Sequence, residues 1–432
     1  MEDCPSEFTL RDFLFEYMKD DLFSHIDYAV LAEEIFTAYY DCRKNKRNTH
    51  NAIKFEIHLE QNIFALIDDV FNGTYAPGRS IAFIVNKPVK REIFAADFRD
   101  RVVHHWLINK LNPFFENVFI PDSYACRVGK GTHYGVARVN QFIKECSENY
   151  TKECYVLKLD IQGFFMHIHR TILVNSLKKF VYSNYHQPDI NLVIELLEKV
   201  IFNAAAENCF IKGKKKDWKG LPNNKSLFHS PKNCGLPIGN LTSQVFANFY
   251  MHAFDSYVKN ELGISYYGRY VDDFVLVHPN KDFLKALLPK LSNFLSANLK
   301  LTLHPNKIYL QHYSKGVKFL GTIIKPNRIY IANRTKGNFY QALTRFNEQI
   351  KVKAISEIEL NAFMSTVNSY LGIMKHYKTY RLRKRMLQKN MGGRWYDHVS
   401  IAHNHLKVVK RVRKLHKDTM PLFRHRYRYE KI

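Results

Sequence analysis

The chain of 432 residues carries 65 Lys and Arg against 40 Asp and Glu, a formal charge of +25 with a pI near 9.6, which points to a polyanionic partner. A hydrophobic content of 46% allows a large core divided among two or three subdomains. The seven cysteines are odd in number and lack a paired short spacing, which excludes a disulfide frame and a zinc site and reads as reduced cytosolic thiols. With no signal peptide and no apolar run long enough to span a bilayer, a cytoplasmic protein without membrane association is expected.

Charge is unevenly placed. Residues 1–42 hold eleven acids against Arg11 and Lys19, whereas residues 375–432 hold eighteen Lys and Arg against three acids. Residues 9–42 read as helical, with a capping box at Thr9 and Asp12 and an apolar face of Phe13, Tyr17 and Met18. Their acidity fits a solvated face packed on the core or a docking surface for a basic partner. A basic run, Arg43–Arg47, marks a boundary. Phe55, Leu59, Ile63, Leu66 and Val70 predict a helix over 53–71 that stops at Asn72-Gly73. Residues 81–94 read as strand, turn and strand with a cationic tip of Lys87, Lys90 and Arg91, either an ordinary exposed turn or a phosphate clamp.

A helix follows over 98–111. In 122–133, Arg127, Lys130 and two glycines would let backbone approach a phosphate chain. His104, His105 and His133 lack the neighbours of metal ligands and read as structural or RNA-facing. Tyr155, Leu157 and Leu159 alternate with Val156, Lys158 and Asp160, which puts Asp160 at a strand end. Then come a helix over 188–206, a Lys- and Gly-rich loop over 207–233 read as an RNA-facing insertion, and a Gly/Pro turn, Gly235-Leu-Pro-Ile-Gly239, entering a helix. Residues 281–299 predict an amphipathic helix, 301–307 a strand, and 333–390 a basic helical region. The tail 391–432 is rich in Arg, Lys and Tyr, suited to phosphate contact and base stacking. His403-Asn-His405 is too compact for a His-Asn-His nuclease, and three acids after 375 cannot supply a ribonuclease H cluster.

The chemistry centres on Tyr270-Val-Asp-Asp-Phe274, between β-prone runs that predict a hairpin with both acids at its tip. A solvated Asp-Asp turn is the plain alternative. Adjacent carboxylates otherwise need a cation, and Mg²⁺, with Mn²⁺ as a substitute, takes such hard oxygen ligands. With Asp160 at a neighbouring strand end, the set matches a two-metal phosphoryl-transfer site. No neutralising residue is evident near these carboxylates in sequence.

Here the chain resembles the reverse transcriptase family: Asp160 matches its first palm motif and Tyr-x-Asp-Asp at 270–273 its third. Over about 53–390 it resembles bacterial members, especially those of diversity-generating retroelements, and it is also similar to antiphage reverse transcriptases. The resemblance implies an α+β right-hand polymerase with fingers, a ferredoxin-like palm and a helical thumb. It implies metal binding by Asp160, Asp272, Asp273 and the Ile161 carbonyl, and triphosphate contacts from Lys87 and Arg91. Phe165, five residues after Asp160, would exclude a ribose 2′-hydroxyl, with a core phenylalanine as the alternative. Ile238, Gly239 and Gln244 would lie in the second palm motif near the nascent pair; Ile238 stands where most members have Gln, and Gln244 where they have Pro. Lys307 would assist pyrophosphate departure, or be an ordinary surface lysine, and Phe319, Leu320 and Gly321 would form the primer grip.

The implied division is an acidic helical segment (1–52), fingers (53–150), palm (151–332), thumb (333–390) and basic RNA-binding tail (391–432). The implied reaction is RNA-templated DNA synthesis from dNTPs on a primer–template, with a dedicated template or noncoding RNA and either a small accessory protein or self-association. A retroelement and an antiphage role both fit. A catalytically idle RNA-binding protein is the reading from another class, opposed by retention of all three Asp residues.

Overall fold

The computed structural model describes residues 26–44, 49–86, 89–352 and 355–411. Thr9, Asp12, Lys87 and the stretch 424–429 lie outside them. The chain divides into two compact units, Met1–Leu320 and Gly321–Ile432.

In the first unit, helices α1 (Tyr28–Arg43), α2 (His50–Ile57) and α3 (Leu59–Phe71) pack around α4 (Phe98–Val118). The single helix expected over 53–71 is two. It breaks at His58, where Asn62 Nδ2 donates to the Phe55 carbonyl at 2.9 Å and so caps the preceding turn. Helix α4 runs seven residues past its expected end, through Pro113. Phe115 is fully buried against Phe180 and Phe249, with ring centroids 5.4 and 5.0 Å away, and this packing offsets the hydrogen bond that Pro113 cannot make. The acids of α1 are not all solvated: Glu34 accepts Trp106 Nε1 at 2.9 Å and pairs with Lys110.

Strands β1 (Ser80–Val85) and β2 (Arg91–Ala95) form an antiparallel hairpin with Val85 opposite Arg91. After α5 (Thr132–Cys146), β3 (Tyr155–Asp160) enters the central sheet, followed by α6 (Arg170–Asn184) and α7 (Ile190–Phe202). The segment 207–233, expected as a loop, contributes a short strand β4 (Cys209–Ile211) parallel to β1. Helix α8 (Leu241–Tyr250) is buried on nearly every face, its polar Thr242, Ser243 and Asn248 included, and only Gln244 is exposed.

β5 (Tyr266–Tyr270) and β6 (Asp273–His278) form the expected hairpin, and α9 (Lys281–Leu299) covers the sheet with Leu284, Leu287, Leu291 and Leu295. The strand expected over 301–307 is only a single bridge from Leu303 to Ile161. Pro305 cannot donate to a ladder, and the pairing strand β7 (Tyr309–His312) starts later. The sheet order is β5-β6-β3-β7, antiparallel throughout, with Leu157 and Leu159 buried in one core with the helices. β8 (Val317–Phe319) closes this unit.

The second unit starts with hairpin β9 (Thr322–Lys325) and β10 (Arg328–Ile331). Helices α10 (Asn333–Val352), α11 (Glu357–Met374) and α12 (Tyr380–Asn390) follow, then hairpin β11 (Val399–Ala402) and β12 (Lys407–Lys410). Its own core stacks Phe363 on Trp395 at 3.7 Å. His403, Asn404 and His405 all have positive φ and form the turn of the last hairpin.

The class is therefore α+β, with helices segregated around mainly antiparallel sheets.

Candidate active site

The sheet register brings the acids together. Asp160, last in β3, stands directly opposite Asp273, first in β6, and Tyr270 faces Asp273 across the β5–β6 hairpin. Val271 and Asp272 are thus the turn. Val271 has φ +58°, a left-handed conformation that a β-branched residue adopts only when its surroundings impose it. Two donors impose it here. Arg269 Nη1 reaches the Val271 carbonyl at 2.9 Å, and the Ile161 amide reaches the Asp272 carbonyl at 3.3 Å. Gly268, beneath the turn in β5, lies against Tyr124; an added Cβ would meet its hydroxyl at 2.1 Å.

Arg269 is fully buried and belongs to a closed charge cluster. Its Nε and Nη2 bind Asp255 at 2.8 and 2.6 Å, the Tyr267 hydroxyl donates to the same carboxylate at 2.6 Å, and Nη1 also meets Asn248 Oδ1 at 3.2 Å. Neither Arg269 nor Asp255 was expected from sequence.

Two of the three acids are paired with lysines, contrary to the expectation that no such residue lies near. Lys158 Nζ sits 3.1 Å from Asp273 Oδ2, and Lys307 Nζ sits 2.7 Å from Asp160 Oδ1. Lys158 was overlooked because it reads as half of a strand alternation. At two residues before Asp160, it shares that residue's face of β3. Lys307 is delivered by a segment tied alongside Asp160: the His304 amide donates to the Asp160 carbonyl at 2.8 Å and the Gln162 amide to Thr302 at 2.9 Å.

Asp272 forms no ion pair among the described residues, and its carboxyl is pushed up to about 6, first by burial and then by the neighbouring Asp160 charge. Asp273 is raised too, by burial before all else, with Lys158 opposing. Its Oδ1 is buried with no hydrogen-bond partner, an orphaned carboxylate oxygen of the kind that accepts a cation. Among the described residues no three His, Cys, Asp or Glu side chains stand drawn up as a metal cage, and two of these three acids are turned onto lysines. The donor set is nonetheless all hard oxygen, and in excess of its cations, as a divalent hard ion requires.

The other expected residues fall into three groups. Phe165 and Ile238 are brought together: both are half-buried against one small apolar cluster of Ala82, Phe94, Met166 and Leu227, with Phe164 fully in the core beside them. The Ile238 carbonyl accepts the Phe94 amide at 2.8 Å. Gly239 follows at φ +128°, where a Cβ would stand 2.9 Å from Ile93 and 3.1 Å from the Phe94 carbonyl, so the turn needs glycine. Gln244 Oε1 accepts the Cys126 thiol at 2.9 Å. Arg91 is exposed at the start of β2, with no hydrogen bond or ion pair among the described residues, and is close enough to Tyr270 to act on its hydroxyl. Phe319 is buried at the end of β8, and Leu320 and Gly321 both have positive φ in the turn that follows.

Arg127 is not a phosphate ligand. Its side chain is buried, clamps Glu116 at 2.7 Å and donates to the Ile120 and Ser123 carbonyls. Lys130 donates to the Pro121 carbonyl at 2.7 Å. His104 is a core residue, its ring held neutral with a pKa down near 3 by burial and then by His105.

Comparison with known proteins bears on this arrangement. Residues 86–324 match the family described as reverse transcriptase (RNA-dependent DNA polymerase). Protein YkfC of Escherichia coli K12 is 22% identical over 307 residues, covering 63% of this chain and 73% of that one. Among solved structures, telomerase from Candida albicans in complex with a fragment of telomeric RNA is 12% identical, covering 71% of this chain and 57% of its own, at a TM-score of 0.42. Apo telomerase from Candida tropicalis is 14% identical, covering 67% and 51%, at 0.42. The chain thus spans little more than half the length of these telomerases. Among the described residues no helix is long and apolar enough to cross a membrane.

Proposed function

The chain belongs to the reverse transcriptase family and is an RNA-directed DNA polymerase, and from that premise we propose how its residues divide the work. Asp160, Asp272 and Asp273 would hold divalent cations, Mg²⁺ or Mn²⁺, with the Ile161 carbonyl beside them. When bound, such ions activate a primer 3′-hydroxyl and stabilise the leaving pyrophosphate. The observation that carries this reading is the pairing of Asp160 with Asp273 across β3 and β6, with Asp272 in the adjoining turn and one carboxylate oxygen unclaimed.

The remaining residues bind and orient. Arg91, unpaired and exposed, would hold the triphosphate together with Lys87. Lys307 lies on Asp160 and can pass from that carboxylate to the departing pyrophosphate as a donor. Phe165 presents a half-exposed ring, sited to exclude a 2′-oxygen, and Ile238 beside it offers the nascent pair an alkyl surface where an amide could police hydrogen bonding. Phe319, Leu320 and Gly321 would support the primer terminus. In the right-hand plan of the family, residues 53–150 would be fingers, 151–332 palm, 333–390 thumb, and 391–432 an RNA-binding tail.

The template would be a dedicated RNA. The tail holds eleven Lys and Arg against three acids, a balance suited to further phosphate contacts. A diversity-generating retroelement and an antiphage role would both use this chemistry, with a small accessory protein or self-association completing the assembly. Asp272→Ala/Asp273→Ala should abolish primer extension on RNA by several powers of ten while leaving RNA affinity within about threefold. Retained synthesis defeats the metal assignment; joint loss of binding makes the acids structural. In the same assay Phe165→Ala should admit ribonucleotides by about 10- to 100-fold.

A further inference from the structure

The segment between α7 and the Gly235 turn is held on the edge of the β1–β2 hairpin along a traceable path. β4 runs parallel to β1, with Ser80 opposite Cys209 and Ala82 opposite Ile211, and the Lys212 amide donates to the Ala82 carbonyl at 2.8 Å. Because the pairing is parallel, the residues after Ile211 advance toward the hairpin tip. They reach it: the Lys219 carbonyl accepts Lys90 Nζ at 2.7 Å, next to Arg91.

The return path is pinned from inside. Glu92, 1% exposed, accepts Trp218 Nε1 at 2.6 Å, Ser226 Oγ at 2.7 Å and the Leu227 amide at 2.5 Å. Phe228 packs on Phe94 with centroids 5.2 Å apart. A buried carboxylate with three donors fixes a segment far more firmly than surface contacts would.

What this segment presents outward is charge. Lys212, Lys214, Lys215, Lys216 and Lys225 are exposed and have no carboxylate partner among the described residues. Asp217, the sole acid between Lys212 and Lys225, is spent on the Lys214 amide at 2.9 Å. At the base of the strip Phe210 is 56% exposed, with the Arg79 guanidinium 3.7 Å over its ring.

We propose that this strip, from Phe210 to Lys225, is a docking surface for single-stranded RNA running along the outer edge of the hairpin toward Arg91. Its lysines would take successive phosphates and its Phe210–Arg79 pair would take a base. The inference rests on the reading that the chain copies RNA, and it adds a contact surface outside the carboxylate site. Unpaired lysines in a line, beside one exposed aromatic ring under a guanidinium, match a linear polyanion that also carries π-faces. A strip along one sheet edge, continuous with the tip that bears Arg91, suits a strand and not a broad acidic face.

The test uses the full chain with Lys212→Gln, Lys214→Gln, Lys215→Gln and Lys216→Gln combined. These exposed lysines make no ion pair, so the fold should survive, as a wild-type melting curve would verify. A labelled unstructured oligoribonucleotide is titrated at several NaCl concentrations. The variant should bind at least about tenfold more weakly near physiological salt, with the slope of log affinity against log salt reduced by about 0.7 per lost contact, roughly 2–3 in all. Phe210→Ala should weaken binding about tenfold at an unchanged slope, since stacking releases no counterions. Single-nucleotide addition at saturating primer–template should keep the wild-type rate in both.

An unchanged slope and affinity in the folded quadruple variant overturn the surface. So does loss of retention on anionic vesicles, or of binding to an acidic protein, with RNA binding intact. A reduced slope in a protein whose wild type makes no DNA on any RNA template leaves the surface standing and defeats the copying reading. Normal synthesis with an unchanged slope does the reverse.

Discussion

Asp255 and Asp273 are both carboxylates on or beside the β5–β6 hairpin, yet the chain treats them oppositely. Asp255 is 1% exposed and receives two nitrogens of Arg269 and the Tyr267 hydroxyl, while Arg269 spends its remaining donors on Asn248, Val271 and Ser123. Every group in that cluster finds its partner within the chain. Asp273 shares its neighbourhood with Asp160 and Asp272, receives one ammonium on one oxygen, and keeps the other oxygen buried and bare. A buried ion pair is tolerable when its geometry is complete, and costly when a charge is left over. The first cluster is closed and serves the fold by holding the Val271 turn. The second is left open in a place where a strained turn displays it, which is where function, more than stability, accounts for the arrangement.

The contrast breaks if the closed cluster is opened. Arg269→Met strands the Asp255 charge in the core and frees the Val271 carbonyl, and should cost about 3–5 kcal/mol in urea unfolding. Arg269→Met/Asp255→Leu should recover much of that loss, because no charge then remains to be buried. A single variant that loses under about 1 kcal/mol would show that water already reaches Asp255.

The contrast sharpens if the open cluster loses its one buried-side cation. Lys158 and Asp273 are 25% and 20% exposed, so solvent screens their pair and Lys158→Met should cost only about 1–2 kcal/mol without divalent ions. Added Mg²⁺ should then raise the melting temperature of the variant more than that of wild type, since a second cation fills a larger deficit. No increment in either protein would mean that no ion binds at these carboxylates, and equal increments would mean that Lys158 does not compete with the ion.

Much of this arrangement could be read from residues alone. The β-prone runs on both sides of the acidic pair gave the β5–β6 hairpin, and the alternation in Tyr155–Asp160 gave β3 with its acid at the end, because branched and aromatic runs and period-2 patterning both report sheet strands. The motif order also gave the family to which residues 86–324 belong. What stayed hidden depended on partners distant in sequence. Arg269 finds Asp255 fourteen residues earlier, on another element, and no local spacing signals it. Arg127 looked like a phosphate ligand because its segment carries glycines and a second cation, but Glu116 on the preceding helix claims it. The 207–233 segment looked like a plain loop because its strand is three residues long and its anchor, Glu92, lies in the hairpin it decorates. Lys307 sat in a predicted strand that Pro305 turns into a bend, and that bend brings its ammonium back to Asp160.

The smallest effect tests the open cluster from the side of stability. Asp272 has no lysine of its own, and burial first, then Asp160, lift its carboxyl from an ordinary value near 3.8 to about 6. The folded protein therefore disfavours the ionised form. Its destabilising contribution starts as pH rises above the unfolded value near 3.8 and is complete once pH passes about 6. Asp272→Asn removes that charge at nearly constant shape, so in chelator at pH 7 the variant should be more stable than wild type by about 1 kcal/mol, the full shift being discounted for solvent near the turn. The gain should fade as pH falls from about 6 toward 4, where the wild-type carboxyl takes its own proton. Thermal melts of both proteins across that range, with synthesis assayed in parallel, supply the check. A variant that is less stable at pH 7 would place Asp272 among the residues that hold the turn together, and one equally stabilised at pH 4 would show that the gain does not come from the lost charge; either result would erase the distinction between the two clusters.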